Sequence, residues 1–151
     1  MEAIYNYHVN ANWEVRRNGR ISAEGVAEPE IRFSAPVEFS GDRGHWTPEH
    51  FLIAAVVSCF VVTLSSMAEA SKLKILSLDV AAEGQLGKKN GKLAFAEIVL
   101  RPVLTLFTPA GKELGERLLQ KAEQGCLIAR SLSCPIIMQA VVQVDSPVPV
   151  V

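Results

Sequence analysis

Three cysteines, Cys59, Cys126 and Cys134, are the side chains in this sequence best suited to chemistry. A thiol attacks only as its thiolate, so each is judged by what around it could lower its pKa. Cys126 stands where one helix should end and a new one begin. Unpaired N–H groups and the helix dipole would stabilise a thiolate there. Cys59 lies inside an uncharged stretch, Val57-Ser58-Cys59-Phe60, where the first explanation of a free cysteine is as a small buried hydrophobe. Cys134 precedes Pro135 and has no partner of evident type, so it reads as packing. Glu49 is ten residues before Cys59 on the same expected helix. That is about 15 Å along the axis, so the two can meet only across a dimer or through a bend. Arg17 and Arg20 flank a hairpin turn and read first as solvated charge. His45 and His50 flank the helix start, but without CxxC or HxxxH spacing no metal site is expected. No GxSxG, Walker loop or GxGxxG is present, and Gly84-Gln85-Leu86-Gly87 is too short to cradle a phosphate. No cofactor is expected.

The elements that must position these groups follow from periodicity. Tyr5, Tyr7, Val9, Ala11, Trp13 and Val15 alternate with polar residues, which predicts a half-buried strand. Arg17-Asn18-Gly19-Arg20 predicts a hairpin turn, with a returning strand over 21–26 and a short third strand over 31–33. Residues 34–46 read as a loop. Thr47-Pro48-Glu49 then opens a helix: a cap, a proline at the first helical position, and an acid at the positive end of the dipole. The helix should run over 47–71. Leu76, Leu78, Val80 and Ala82 alternate again. Asn90-Gly91 signals a second hairpin, and residues 93–107 form a long strand that Pro102 should demote locally to an edge or a bulge. Thr108-Pro109 repeats the cap-plus-proline device before an amphipathic helix over 110–124. Gly125 ends it, and residues 126–132 form a short second helix. Residues 136–144 read as a last strand and 145–151, with two prolines, as a loose tail. The order of elements predicts a single α+β domain over 1–151 with largely antiparallel sheet.

Composition bounds the partners. The 151 residues carry a net charge of −1, with no basic excess of the kind that binds phosphate backbones. No nucleic-acid partner is expected. Residues 51–68 are uncharged, which reaches the length of a membrane span. Ser58, Thr63, Ser65 and Ser66 dilute that stretch, and a helix buried on every side of a core is the better expectation. A chain this small rarely covers every face of one helix. A sheet can take one side, and a symmetric second copy is the simplest cover for the other. An obligate homodimer with two Cys59 helices at its heart is therefore expected. The start, Met1 to Tyr7, has no basic segment followed by an apolar run, so the expected compartment is the cytoplasm, where thiols stay reduced.

The stretch from Thr47-Pro48-Glu49-His50 through Val57-Ser58-Cys59-Phe60 resembles the OsmC/Ohr proteins, the osmotically inducible and organic hydroperoxide resistance proteins. Pro-Glu near a helix start with cysteine ten residues after the glutamate is the first resemblance. Ala122-Glu123-Gln124-Gly125-Cys126-Leu127-Ile128-Ala129-Arg130-Ser131-Leu132 resembles the second cysteine segment, with Leu127 where many relatives have proline. Ala11-Asn12-Trp13 through Arg17-Asn18-Gly19-Arg20 to Gly25 is also similar, so the likeness spans about residues 3–144.

What the resemblance implies is specific. The fold would be antiparallel sheets wrapped around a central apolar helix, in an intertwined homodimer with sites at the interface. Cys59 would be the peroxidatic thiolate and Cys126 the resolving thiol. Glu49 matches the family's glutamate, and Arg17 matches the arginine of the hydroperoxide-resistance branch. The other branch takes its arginine from the loop before the helix, where this chain has Glu38; Arg20 and Arg43 are the nearby alternatives. The activity would be reduction of organic hydroperoxides, with a lipoyl group or small thiol restoring the dithiol. Phe51, Phe60 and Trp46 are candidate pocket walls, although the same side chains would serve as core. Two other readings stand beside it: a non-catalytic dimer that binds small hydrophobic ligands, and a thiol redox sensor.

Overall fold

The computed structural model describes residues 3–27 and 29–145. They form two compact units, one ending at Leu52 and the other beginning at Ile53.

In the first unit, β1 (Val9–Val15), β2 (Asn18–Ala23) and β3 (Ile31–Ser34) form an antiparallel sheet in the order β1-β2-β3. The hairpin turns earlier than Asn18-Gly19 suggests. Val15 pairs with Asn18, and the turn is Arg16-Arg17, with Arg16 at φ +53°. Gly19 sits inside β2 for want of space. A Cβ there would lie 2.5 Å from the Asn12 carbonyl oxygen and 2.7 Å from the Phe33 ring. The alternation of β1 also misleads about burial: every residue of the strand is exposed, Trp13 by 75%. Neither face of β1 is covered among the described residues. Tyr5 and Tyr7 precede the strand. A single 3-10 turn (Val37–Phe39) interrupts the loop that follows β3.

The helix α1 (Pro48–Ala70) begins where the cap signal places it. In the second unit it buries a single stripe, Val56, Phe60, Leu64 and Ala68, spaced four apart along one face. The expectation of burial on every side is thus not met within one chain; Val62, for example, is 66% exposed. The helix is long and apolar enough to cross a membrane by length and composition. Its stripe instead joins Ile98, Leu100, Leu104 and Leu106 with Leu118, Leu119 and Ala122 in one hydrophobic core, which makes it a core helix.

That core is closed by β4 (Ile75–Lys89), β5 (Lys92–Leu106) and α2 (Lys112–Gly125). The β4–β5 hairpin turns at Asn90-Gly91, both at positive φ, as this dipeptide predicts. A register shift between Ile75 and Ser77 turns Leu76 outward and Ile75 toward the core, against the simple alternation from Leu76. A 3-10 turn (Pro109–Gly111) precedes α2, with Thr108 as its N-cap and the proline at its start as expected, although Thr108 makes no side-chain cap bond among the described residues. A short α3 (Leu127–Arg130) follows with Cys126 as its N-cap.

The expected last strand is two strands, β6 (Ile136–Met138) and β7 (Val141–Val144), and both run parallel to β5. The sheet is therefore mixed. Pro102 explains the break. Leu100 and Leu106 accept backbone bonds from Gln139 and Asp145, and Ile98 donates to Pro135. By the alternation of a strand, the nitrogen of Pro102 faces the same side. It falls between the partners of β6 and β7, where no ladder donor is needed. The proline sits in an interior strand, not at an edge. Asp145 is still tied to Leu106 at 3.0 Å, and the remainder of the expected tail lies outside the described residues.

Candidate active site

Cys59 and Cys126 are 67 positions apart in sequence, and the fold of the second unit places their thiols near enough to influence each other's ionisation. α1 carries Cys59 beside its buried stripe, and the break between α2 and α3 carries Cys126. Cys126 is buried, and its Sγ–H points at the Val56 carbonyl 3.9 Å away on α1. Cys59 is half-buried. Thr63, one turn further on, places its hydroxyl 4.0 Å from the Cys59 sulfur and 2.7 Å from the Cys59 carbonyl oxygen.

The two thiols are driven in opposite directions. Burial pushes Cys59 up, but the Ile128 N–H, the Cys126 thiol, the Thr63 hydroxyl and the Leu127 N–H together outweigh it and hold Cys59 below the ordinary thiol range. For Cys126 burial is the largest influence and raises it. The Ala129 and Ile128 N–H groups pull the other way, while the neighbouring Cys59 sulfur adds to the rise. The expectation that the helix start would lower the Cys126 thiol is not met: burial outweighs the Ala129 and Ile128 N–H groups, Cys126 makes no side-chain cap bond to α3, and it is Cys59 that the amides at the start of α3 help to lower. Thr63 and the α3 amides were not among the candidate residues. A hydroxyl four residues after Cys59 is the one signal that could have pointed to Thr63.

The other candidates are placed differently. Glu49 lies in the first turn of α1, and its Oε2 is buried with no hydrogen-bond partner among the described residues. Arg17 is exposed and forms no ion pair among them, so the two are not joined within one chain. Arg20 is held by Glu14, and the adjacent Arg16 pairs with Asp42 at 3.4 Å. Asn18 donates to the same Asp42 carboxylate at 2.6 Å and, as its largest influence, holds that group low. Arg43 is exposed and Glu38 lies in the 3-10 turn after β3. Cys134 packs at the edge of the core. Among the candidate pocket walls, Phe60 is fully buried in the core. Phe51 and Trp46 stack at 5.7 Å between centroids, and Phe51 lines an open apolar groove of about 540 Å³ with Val9, Ile21, Val26 and Ile31. Among the described residues no group of three or more His, Cys, Asp or Glu could hold a metal ion.

The sequence profile for OsmC-like proteins matches residues 40–140, which include both cysteines and Glu49. The chain belongs to this OsmC-like family. It is 26% identical over 129 residues to peroxiredoxin OsmC of Escherichia coli, covering 83% of this chain and 89% of that one. It is 28% identical over 142 residues to the uncharacterized protein YmaD of Bacillus subtilis, covering 91% and 93%. Among solved structures, an OsmC-like protein of unknown function from Vibrio cholerae superposes with a TM-score of 0.82 at 22% identity, over 91% of this chain and all of that one. An organic hydroperoxide resistance protein from Elizabethkingia anophelis gives 0.75 at 22% identity, over 96% and all. These likenesses show the OsmC-like fold: a mixed α+β architecture with a central helix.

Proposed function

We propose that this OsmC-like protein is a thiol-dependent peroxidase that reduces organic hydroperoxides in the cytoplasm. The observation that carries this reading is the neighbouring pair of thiols, Cys59 half-buried beside Thr63 and Cys126 buried against the Val56 carbonyl. The Cys59 thiolate attacks the terminal oxygen of the O–O bond, and the alkoxide leaves as an alcohol after taking a proton. Cys59 becomes a sulfenic acid. The Cys126 thiol then displaces hydroxide from that sulfur, giving a Cys59–Cys126 disulfide and water. An external dithiol, such as a lipoyl group, takes the disulfide back to two thiols by exchange. Cys126 keeps its proton while Cys59 reacts, which suits a resolving thiol.

Arg17 supplies the cation that favours the Cys59 thiolate and orients the peroxide, and Glu49 holds its guanidinium in a bidentate pair. Among the described residues the Oε2 of Glu49 has no hydrogen-bond partner and Arg17 no ion pair, which supports assembly of that pair in a homodimer, where one copy completes the other. The uncovered apolar flank of α1 supports the same assembly. Arg43 is the alternative cation, since Arg20 is already engaged by Glu14. A wall of apolar side chains favours alkyl hydroperoxides over hydrogen peroxide, because the alkyl group gains from burial.

Cys59→Ser is expected to abolish turnover of cumene hydroperoxide with a dithiol, and turnover at the wild-type rate would sink the mechanism. The apolar groove beside Phe51 keeps a second reading in view, a dimer that binds small hydrophobic ligands without chemistry. That reading would be favoured if a double cysteine variant retained the phenotype of the wild-type protein.

A further inference from the structure

The start of α1 holds a device that the peroxidase cycle leaves unused. The Thr47 carbonyl accepts the first helical bond from the Phe51 N–H at 3.1 Å, so Thr47 is the N-cap. Its hydroxyl oxygen accepts from the His50 N–H at 3.2 Å. In return the Thr47 N–H donates to Nδ1 of His50 at 3.0 Å. This is a reciprocal capping box, a motif whose third helical position is ordinarily Glu or Gln. Here an imidazole nitrogen is the acceptor. Thr47 is buried, so its N–H depends on a protein acceptor, and His50 supplies it.

Nδ1 can accept only without a proton, which requires the neutral Nε2–H tautomer. A second proton would set two N–H groups against each other at this short distance. It would leave Nδ1 to donate to the Thr47 hydroxyl, 3.0 Å away. It would also put a positive charge at the positive end of the helix dipole. Glu49 is the charged neighbour on the helix itself. From the preceding loop, His45 lines the same surface cavity as His50, with Gly44 and Trp46, and its own Nδ1 faces the Arg43 carbonyl at 3.1 Å. The Trp46 ring stands edge-on to His50 at 6.1 Å.

We propose that His50 is a positioning residue: unprotonated, it closes the first turn of α1 and so fixes Glu49, and protonation opens that turn in acid. The inference rests on the peroxidase reading, in which Glu49 holds the arginine beside Cys59. Glu49 lies between the two halves of the box, so fraying of this turn moves it directly.

The test uses the full-length protein with His50→Gln, which keeps an acceptor that does not titrate, and His50→Ala, which keeps none. The rate of Cys59 oxidation by cumene hydroperoxide is followed from about pH 5 to 8, the range in which imidazole titrates. At the upper end His50→Gln should match the wild type within about twofold, and His50→Ala should be about fivefold slower, the size expected for one lost cap bond. At the lower end the wild type should fall about fivefold below His50→Gln. Ionisation of Cys59 itself is common to both proteins and cancels in that ratio. Parallel profiles for wild type and His50→Gln, or equal rates for His50→Gln and His50→Ala, would overturn the positioning role. NMR judges the box separately. At neutral pH the wild type should show an unprotonated Nδ1 at His50 and a protected Thr47 amide; a protonated Nδ1 or an unprotected amide would refute it. A wild-type protein that consumes no peroxide would sink the peroxidase reading and the positioning role with it, while the NMR result still decides whether the box exists.

Discussion

The unit beginning at Ile53 and the one ending at Leu52 solve the problem of burial differently. The first has a closed core: Phe60 and Leu64 from α1, Leu100, Leu104 and Leu106 from β5, and Leu118 and Leu119 from α2 are all almost wholly removed from water. The second is a three-stranded sheet whose first strand is exposed at every residue, with Val9, Trp13 and Val15 uncovered. A lone small sheet with an open apolar face is a poor independent structure. The contrast teaches where each part draws its stability. The thiol pair is built on a core that one chain supplies, whereas Arg17 and Glu49 belong to a region with uncovered apolar surface and unpaired polar groups.

The largest effect that would sharpen this contrast is in the core. Phe60→Ala is expected to cost about 3–5 kcal/mol, because a fully buried aromatic side chain leaves a cavity. Urea unfolding would measure it, and a cost under about 1 kcal/mol would mean that Phe60 is not the keystone of this core. Trp13→Ala should leave the folding of an isolated chain almost unchanged but weaken self-association by about tenfold or more, as loss of a buried aromatic anchor does. Sedimentation over a concentration series reads this, and an unaltered dissociation constant would put β1 outside the interface. The smallest effect separates the two thiols. Only the thiolate is alkylated, so each rate falls as pH drops below that group's pKa. Cys59 is depressed and Cys126 raised, so iodoacetamide should label Cys59 at a lower pH than Cys126, starting below the ordinary thiol range of about 8–9. Equal labelling of both across the titration would remove the asymmetry that assigns their roles.

Local signals in the sequence were read correctly where one short-range force decides. Asn90-Gly91 turns because both residues must take positive φ, and Thr47-Pro48-Glu49 starts a helix because cap, proline and charge agree. They failed where a distant neighbour decides. Asn18-Gly19 carries the same turn signal, yet Gly19 is held in β2 by the Asn12 carbonyl and the Phe33 ring, which no local pattern reveals. Pro102 sits inside a sheet because two separate parallel strands leave a gap opposite its nitrogen. The alternation of β1 announces an apolar face but cannot say whether this chain or another covers it. The meeting of Cys59 with Cys126 is of the same long-range kind. Spacing alone left it open, and only the resemblance to OsmC/Ohr proteins implied it. The helix break at Gly125 that starts α3 is a feature the sequence does signal, but it points to Cys126 as the lowered thiol, and burial, which the sequence does not show, reverses that.

The central claim is that Cys59 and Cys126 act as one redox pair. Its most direct test is intact mass and peptide mapping after one equivalent of cumene hydroperoxide. The expected result is a mass lower by two hydrogens, with a Cys59–Cys126 disulfide and Cys134 free. Free thiols at both positions with the peroxide unconsumed, or oxidation confined to Cys134, would contradict it.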